Sequence, residues 1–523
     1  MAEAVAPSGE MKRSLTLTGI TVNAMALIAP GAFLWTTFQL QSAQVAGSKS
    51  TASDMWPGLL FALVLAMLTA YSYSELARIY PNAGTGSSYY FAEAALLDKD
   101  NPQHRKWARV AKLSVGWISH LSYWLYPGIM VAFGGTLFGY IYSTITKHSL
   151  GYVPLAFVCI VFAFVCGYIA FRGISGSTMT AIVINVIQIV SLVAVSIVFI
   201  GYRLGHSSAA YELVNAGKVV LPHTFLHVLY QSTIAILLLV GFESVTALGR
   251  EAINPEKDIR RGILLSLIIQ GGICYLFEYF ATNFAIGKAT IDAGKGVHGY
   301  AAAGLDPAPI GTMLKTVGNQ SLGNTGTTIS LIVAITVLLA LIGTTLACLN
   351  TGVRVTYAMA KDKEMPSILG LLHGDFATPH GGIWILTAIS AVIGIYAVQP
   401  AQVDNITQIT LASNVGTFFV YGMTCLVAIV AFSNRHDKHY LKHYAVPGIG
   451  MLMNLAMLAA VVWLAVKAGG AAANDAYKAL GIDGVWIILG VVWFGVTSSR
   501  RNEKLISVNV PRRVDEAPGV PVA

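Results

Sequence analysis

Apolar runs long enough to cross a bilayer recur along the whole of this chain, and they leave few folds open to it. A helix needs about 20 predominantly apolar residues to span the hydrocarbon core. Runs near that length fall at 17–40, 56–78, 113–144, 152–171, 179–203, 225–248, 262–286, 325–358, 382–399, 407–432, 448–467 and 483–498. Only 11% of the residues are charged, against roughly 25% in soluble domains. In lipid every backbone polar group has to be satisfied within the chain, so such runs fold as helices. The predicted class is an all-α polytopic membrane protein with twelve transmembrane helices. Residues 1–14 form a polar N-terminal tail, 15–500 a single transmembrane domain and 501–523 a C-terminal tail.

The N-terminus carries Glu3, Glu10, Lys12 and Arg13 and lacks the order of a signal peptide, so the first span is expected to be retained. With that end placed in the cytoplasm, 24 of the 33 lysines and arginines fall on the cytoplasmic side. This asymmetry predicts both termini inside. It also explains the net charge of +8 without nucleic acid, because the basic residues line one membrane face. The stretch Asp98 to Lys112 reads as a solvated loop, and Gly287 to Thr325 as an external lid with short helices. The five cysteines, Cys159, Cys166, Cys274, Cys348 and Cys425, all lie in apolar runs and read as core residues. No cofactor or metal is expected.

Two spans carry breaks. Span one has Ala29-Pro30-Gly31-Ala32 at its middle, where proline removes a donor and glycine adds freedom. Span six has Gly241-Phe242-Glu243-Ser244. A carboxylate at membrane depth costs at least about 2.5 kcal/mol and marks a functional site. Two broken helices five spans apart are the pattern of an inverted repeat with a midplane binding site. Repeat one then covers 15–205, repeat two 222–432, and two further helices 448–498.

Three stretches resemble one known family. Tyr73-Ser74-Glu75-Leu76 through Tyr80-Pro81-Asn82-Ala83-Gly84 to Glu93-Ala94 is the first. Gly241-Phe242-Glu243 through Glu251, Asn254-Pro255 and Asp258-Ile259 is the second, and Asn350, Arg354, Tyr357-Ala358-Met359-Ala360-Lys361-Asp362 to Thr378-Pro379 the third. They are similar to the amino acid–polyamine–organocation permeases. The resemblance implies a five-plus-five inverted repeat of the LeuT type and alternating access. It implies a substrate between spans one, three, six, eight and ten, in contact with Ala29, Pro30, Gly31, Ala32, Tyr123, Gly241, Phe242, Glu243 and Ser244. Many family members have serine or threonine where this chain has Pro30, a residue without an N–H. Two substrate classes therefore stay open, an amino acid and a polyamine or other amine.

Glu243 and Glu278 are the expected proton-coupling residues, the latter beside Asn283. A carboxyl in a dry site either holds a proton or pairs with an ammonium. Tyr123 and Trp124 resemble the third span of arginine/agmatine antiporters in the family. Several sodium-independent members carry a lysine in span five, where this chain has Ser191, and sodium has candidate ligands only in Ser191, Thr344 and Thr345. Proton coupling or exchange is the expected mode. Arg78, Phe242, Glu251 and Arg354, together with Arg250, are gate candidates. A homodimer is compatible with the family. A nutrient sensor is the competing function of another class; an enzyme is not expected, because the histidines, among them His223 and His227, show no grouping and no carboxylate partner at useful spacing.

Overall fold

The computed structural model describes residues 15–28, 32–81, 86–99, 102–173, 178–248, 252–376, 378–398 and 404–507. Helices α1 (Leu17–Leu27) and α2 (Ala32–Ala43) flank residues 29–31, which lie outside the described residues. A two-residue antiparallel ribbon, β1 (Val45–Ala46) with β2 (Lys49–Ser50), leads to α3 (Met55–Ile79). Then come α4 (Ser88–Leu97), the short α5 (Pro102–Arg105), α6 (Ala108–Thr146), α7 (Tyr152–Phe171) and α8 (Thr178–Leu204). A one-turn α9 (Ala216–Val220) precedes α10 (Phe225–Ala235). After it, α11 (Pro255–Ser266), a π-helical stretch (Leu267–Tyr275) and α12 (Leu276–Ala285) form one continuous rod.

The segment after α12 holds a ribbon not expected from the sequence, β3 (Asp292–Gly294) with β4 (Val297–His298). It also holds the expected short helices, α13 (Gly299–Leu305) and α14 (Pro309–Ser321). Gly311 of α14 lies against the ring of Trp35, where a Cβ would sit 2.4 Å from it. The chain ends with α15 (Gly326–Lys361), α16 (His380–Ala397), α17 (Asp404–Phe432), α18 (Val446–Lys467) and α19 (Gly470–Arg501).

Among the described residues ten helices are long and apolar enough to cross a membrane, and two shorter apolar ones, Leu17–Ala26 and Phe225–Leu238, stand where spans one and six were expected. The protein is an all-α polytopic membrane protein. Its outer faces carry large apolar side chains such as Val153, Phe157, Ile488 and Val491. Inside, glycines let helices touch, as membrane packing requires. A Cβ at Gly128 would meet Ile393 at 2.5 Å, and one at Gly394 would meet Val131 at 2.4 Å, so α6 and α16 lie in close contact.

One expectation fails here. Asp98 to Lys112 is not simply a solvated loop, because α6 begins at Ala108 and buries two of its cations. Lys112 is 3% exposed between Glu93 (2.7 Å) and Asp362 (2.5 Å). Arg109 is also buried and pairs with Glu364 at 3.1 Å, which Arg501 of α19 approaches at 3.4 Å. Burying charges costs more than their attraction returns unless the geometry is good. Here one acid comes from α4, 19 residues before Lys112, and the others, Asp362 and Glu364, from just past the end of α15, with Glu364 255 residues from Arg109.

Candidate functional site

Span six leaves the α-helix after Ala235. The chain tightens to 3-10 geometry at Ile236–Leu238 and resumes as a 3-10 helix at Phe242–Leu248. Between them Gly241 has φ 120°, a conformation that a Cβ makes costly. The polar groups around the break find partners, as buried backbone must. Tyr126 donates its hydroxyl to Leu237 O at 2.7 Å, and Asn414 donates to Thr233 O at 2.7 Å. Ser244 turns back on Gly241 O through both its N–H (3.1 Å) and its hydroxyl (2.7 Å).

Glu243 sits at this break and is 1% exposed. Its Oε1 accepts from Tyr123 of α6 at 2.9 Å. Its Oε2 accepts from Tyr421 of α17 at 2.8 Å and from the N–H of Gly241 at 3.0 Å. Three donors on two oxygens suit an ionised carboxylate. Tyr123 is placed by a neighbouring irregularity. Pro127 has no N–H to give the carbonyl four residues back, and Gly352 of α15 packs there, where a Cβ would lie 2.8 Å from Tyr123 O.

Phe242 is fully buried in an aromatic layer beside the carboxylate. Its ring centroid lies 6.0 Å from Tyr73 and 5.2 Å from Tyr421. Hydroxyl contacts tie this layer to α4: Tyr73 to Ser88 at 2.5 Å, Ser88 to Thr424 at 3.1 Å, and Ser87 to Thr246 at 2.7 Å.

The structure thus brings Tyr123, Gly241, Phe242, Glu243 and Ser244 together. Trp124 instead donates to Thr356 at 3.1 Å, with its ring against His120. Ala32 opens α2, while Ala29, Pro30, Gly31, Arg250 and Glu251 lie outside the described residues. Thr344 donates to Ala26 O of α1 at 3.0 Å and also contacts Ala340 O at 3.2 Å, whereas Thr345 bonds back to Leu341 O at 2.7 Å. Ser191 is half-buried on α8. Glu278 does not pair with Asn283, which bonds to Tyr279 O and Tyr300; its partner is Ser196 of α8 at 2.5 Å. A residue five positions along a helix points away from Glu278.

At one end of the bundle Arg78 binds Glu75 at 2.9 Å and Asp437 at 3.3 Å. Arg260 reaches Glu75 at 3.2 Å, and His443 lies 3.4 Å from it. The guanidinium of Arg435 beside Asp437 holds that carboxyl below the usual carboxylate range. Arg354 is half-buried on α15. At the other end the reading of the histidines needs correction. His223 and His227 both approach the buried carboxylate of Asp54, at 3.2 and 3.5 Å, a partner that sequence spacing conceals. Among the described residues no group of three His, Cys, Asp or Glu fits a metal ion.

Tyr421, Tyr73 and Asp54 were missed from the sequence. Tyr421 lies on span ten, one of the spans expected around the substrate, and it could have been found by asking which polar side chains there face inward.

Comparison with known proteins agrees with this architecture. The family described as Amino acid permease matches residues 14–493. The branched-chain amino acid permease BcaP of Bacillus subtilis is 25% identical, over 96% of this chain and 96% of the relative. The low-affinity putrescine importer PlaP of Escherichia coli K12 is 24% identical, over 94% of this chain and 95% of the relative. The methylthioribose transporter of Bacillus subtilis is 22% identical, over 74% and 76%. With the family matched along nearly the whole chain, and a many-helix membrane bundle broken at Gly241, this chain belongs to the amino acid permeases of the amino acid–polyamine–organocation superfamily, which are transporters and not enzymes.

Proposed function

We propose that this protein is a secondary transporter of the cell membrane that moves amino acids by alternating access, with the substrate's ammonium group bound at Glu243. The observation that carries this reading is the Glu243 carboxylate itself, buried at a helix break and held by three neutral donors. Neutral donors orient the charge without cancelling it, so it stays available to a cation. Branched-chain amino acids and putrescine, named for two of the relatives, share an ammonium group. A polyamine or other amine is the alternative substrate, favoured by Pro30 at the expected carboxylate position. Alternating access would work on the five-plus-five repeat, with the half-helices α1, α2, α10 and the 3-10 segment moving against the rest. The lysine and arginine asymmetry supports both termini in the cytoplasm. Proton coupling or exchange fits better than sodium, because Thr345 already bonds back to its own helix and Thr344 is held by Ala26 O.

Ligand-induced thermal stabilisation of the purified protein tests the reading. Leucine, isoleucine, valine and putrescine are the probes. Stabilisation grows as RT ln(1 + [L]/Kd), about 2.7 kcal/mol at a hundredfold excess over Kd. A shift with one of them that disappears in Glu243→Gln is the expected result. A shift that survives intact in Glu243→Gln removes Glu243 from substrate binding.

A further inference from the structure

We propose that Glu278 is the proton carrier of this transporter, holding its proton in the seam between α8 and α12, apart from the carboxylate at Glu243. The proposal rests on the transport reading above for its role, and on hydrogen-bond accounting for its protonation state.

Glu278 is fully buried. Its Oε2 lies 2.5 Å from the Ser196 hydroxyl, and its Oε1 is buried with no hydrogen-bond partner. The same hydroxyl lies 2.8 Å from Leu192 O, a carbonyl that can only accept. A serine hydroxyl has one proton and here faces two oxygens. If Glu278 were ionised, Ser196 would have to serve both, and the carboxylate would keep one bare oxygen in a dry seam. A buried charge with so little compensation is strongly disfavoured. If Glu278 is a carboxylic acid, it donates to Ser196 Oγ, Ser196 donates to Leu192 O, and both contacts are used. The remaining bare atom is then a neutral carbonyl oxygen.

Among the described residues, the cations on elements packed against α12 are exposed or engaged elsewhere: Lys218 of α9 is exposed. On α8, Arg203 lies two turns beyond Ser196, where the carbonyls of Phe284, Leu213 and Val214 hold it. From α3, Trp56 donates to Leu276 O, and Asp54, in the turn just before α3, is taken up by His223 and His227. Next to Glu278 on its own rod, Cys274 is a free, buried cysteine, Tyr275 donates to Ile28 O and Tyr279 to Gln41 Oε1.

The two buried carboxyl groups of spans six and seven are therefore compensated to different degrees. Glu243 has three donors and fits a carboxylate, whereas Glu278 has one hydroxyl that needs an acid partner. Such divergent environments separate charge-bearing from proton-bearing roles. The contact joins two spans, and α8 also touches α1, where Asn185 donates to Val22 O at 3.5 Å. A shift of α8 against α12 in the transport cycle breaks the Ser196 contact. The acid then meets water, where a glutamic acid gives its proton to the solvent at neutral pH.

The test uses the full-length protein in liposomes. Infrared difference spectra at neutral pH, wild type minus Glu278→Gln, should show a protonated-carboxyl carbonyl band that shifts in D2O and belongs to Glu278 alone, apart from any band of the buried, unpartnered Asp483; the amide of the variant can still donate to Ser196. Leucine and putrescine are then used to measure counterflow and substrate-driven proton movement separately. Glu278→Gln should keep counterflow within about twofold and lose proton movement by about tenfold or more. Absence of the band from the difference spectrum, or proton movement undiminished in that variant, overturns the proposal. If the wild type shows no counterflow with either probe, the transport reading fails, and the infrared band still decides the proton on Glu278. Should Glu278→Gln not fold, Ser196→Ala replaces it: the band must move when its acceptor is removed, and an unmoved band overturns the proposal.

Discussion

Glu243 draws its donors from three elements, and each donor has a separate consequence. Tyr421→Phe removes one hydroxyl from a charged acceptor, an interaction of about 1.5–3 kcal/mol. Substrate affinity should change by about tenfold or more, read by titration calorimetry, while the melting temperature falls only by what the lost hydrogen bond contributes, because Phe keeps the ring packing with Tyr73 and Phe242. An unchanged affinity would mean that Tyr421 plays no part in presenting the carboxylate. The presence of a buried carboxylate was legible in the sequence, since a lone Glu in an apolar run has few other readings. Its donors Tyr123 and Tyr421 were not equally so. They lie 120 and 178 residues away, and only Tyr123 stood in a stretch with a family resemblance.

Among the elements, span six depends on one backbone conformation. Gly241→Ala would place a Cβ at φ 120°, which costs about 1–3 kcal/mol in strain. The expected outcome is a lower unfolding temperature together with loss of uptake; wild-type uptake would show that the break tolerates a side chain. A second element test concerns α3 against α10. A Cβ at Gly58 would lie 2.5 Å from Gln231 Cβ. Gly58→Ala should destabilise by about 1–3 kcal/mol and disturb the reciprocal bonds of Gln231 with Gln41, which tie α10 to α2 at 3.0 and 3.3 Å. Thermal unfolding measures the first effect. The position of the break in span six was readable because glycine acts locally. The 3-10 geometry after Ala235 and the π-helical stretch at Leu267–Tyr275 were not, since neighbouring helices select them.

Across the whole molecule, the ends of α6, α15 and α19 are joined by buried ion pairs. Arg109→Met alone strands Glu364 beside a single remaining cation and should cost about 3–5 kcal/mol, whereas Arg109→Met with Glu364→Leu should recover much of that loss. Thermal unfolding of both variants checks this, and equal losses would mean that the pair contributes no mutual compensation. Hydropathy and composition by themselves determined that the chain is a helical membrane protein, roughly where its spans lie, and that span six is interrupted at a glycine. Those properties depend on the transfer of short segments into lipid and on local backbone freedom, which each segment carries within itself. Only the tertiary structure decided that Lys112 and Arg109 are buried in ion pairs, that His223 and His227 meet Asp54, that Tyr421 serves Glu243 and that Ser196 serves Glu278. Electrostatic and hydrogen-bond partners are chosen by proximity in space, and in a many-helix bundle that proximity is set by packing between segments far apart in the chain.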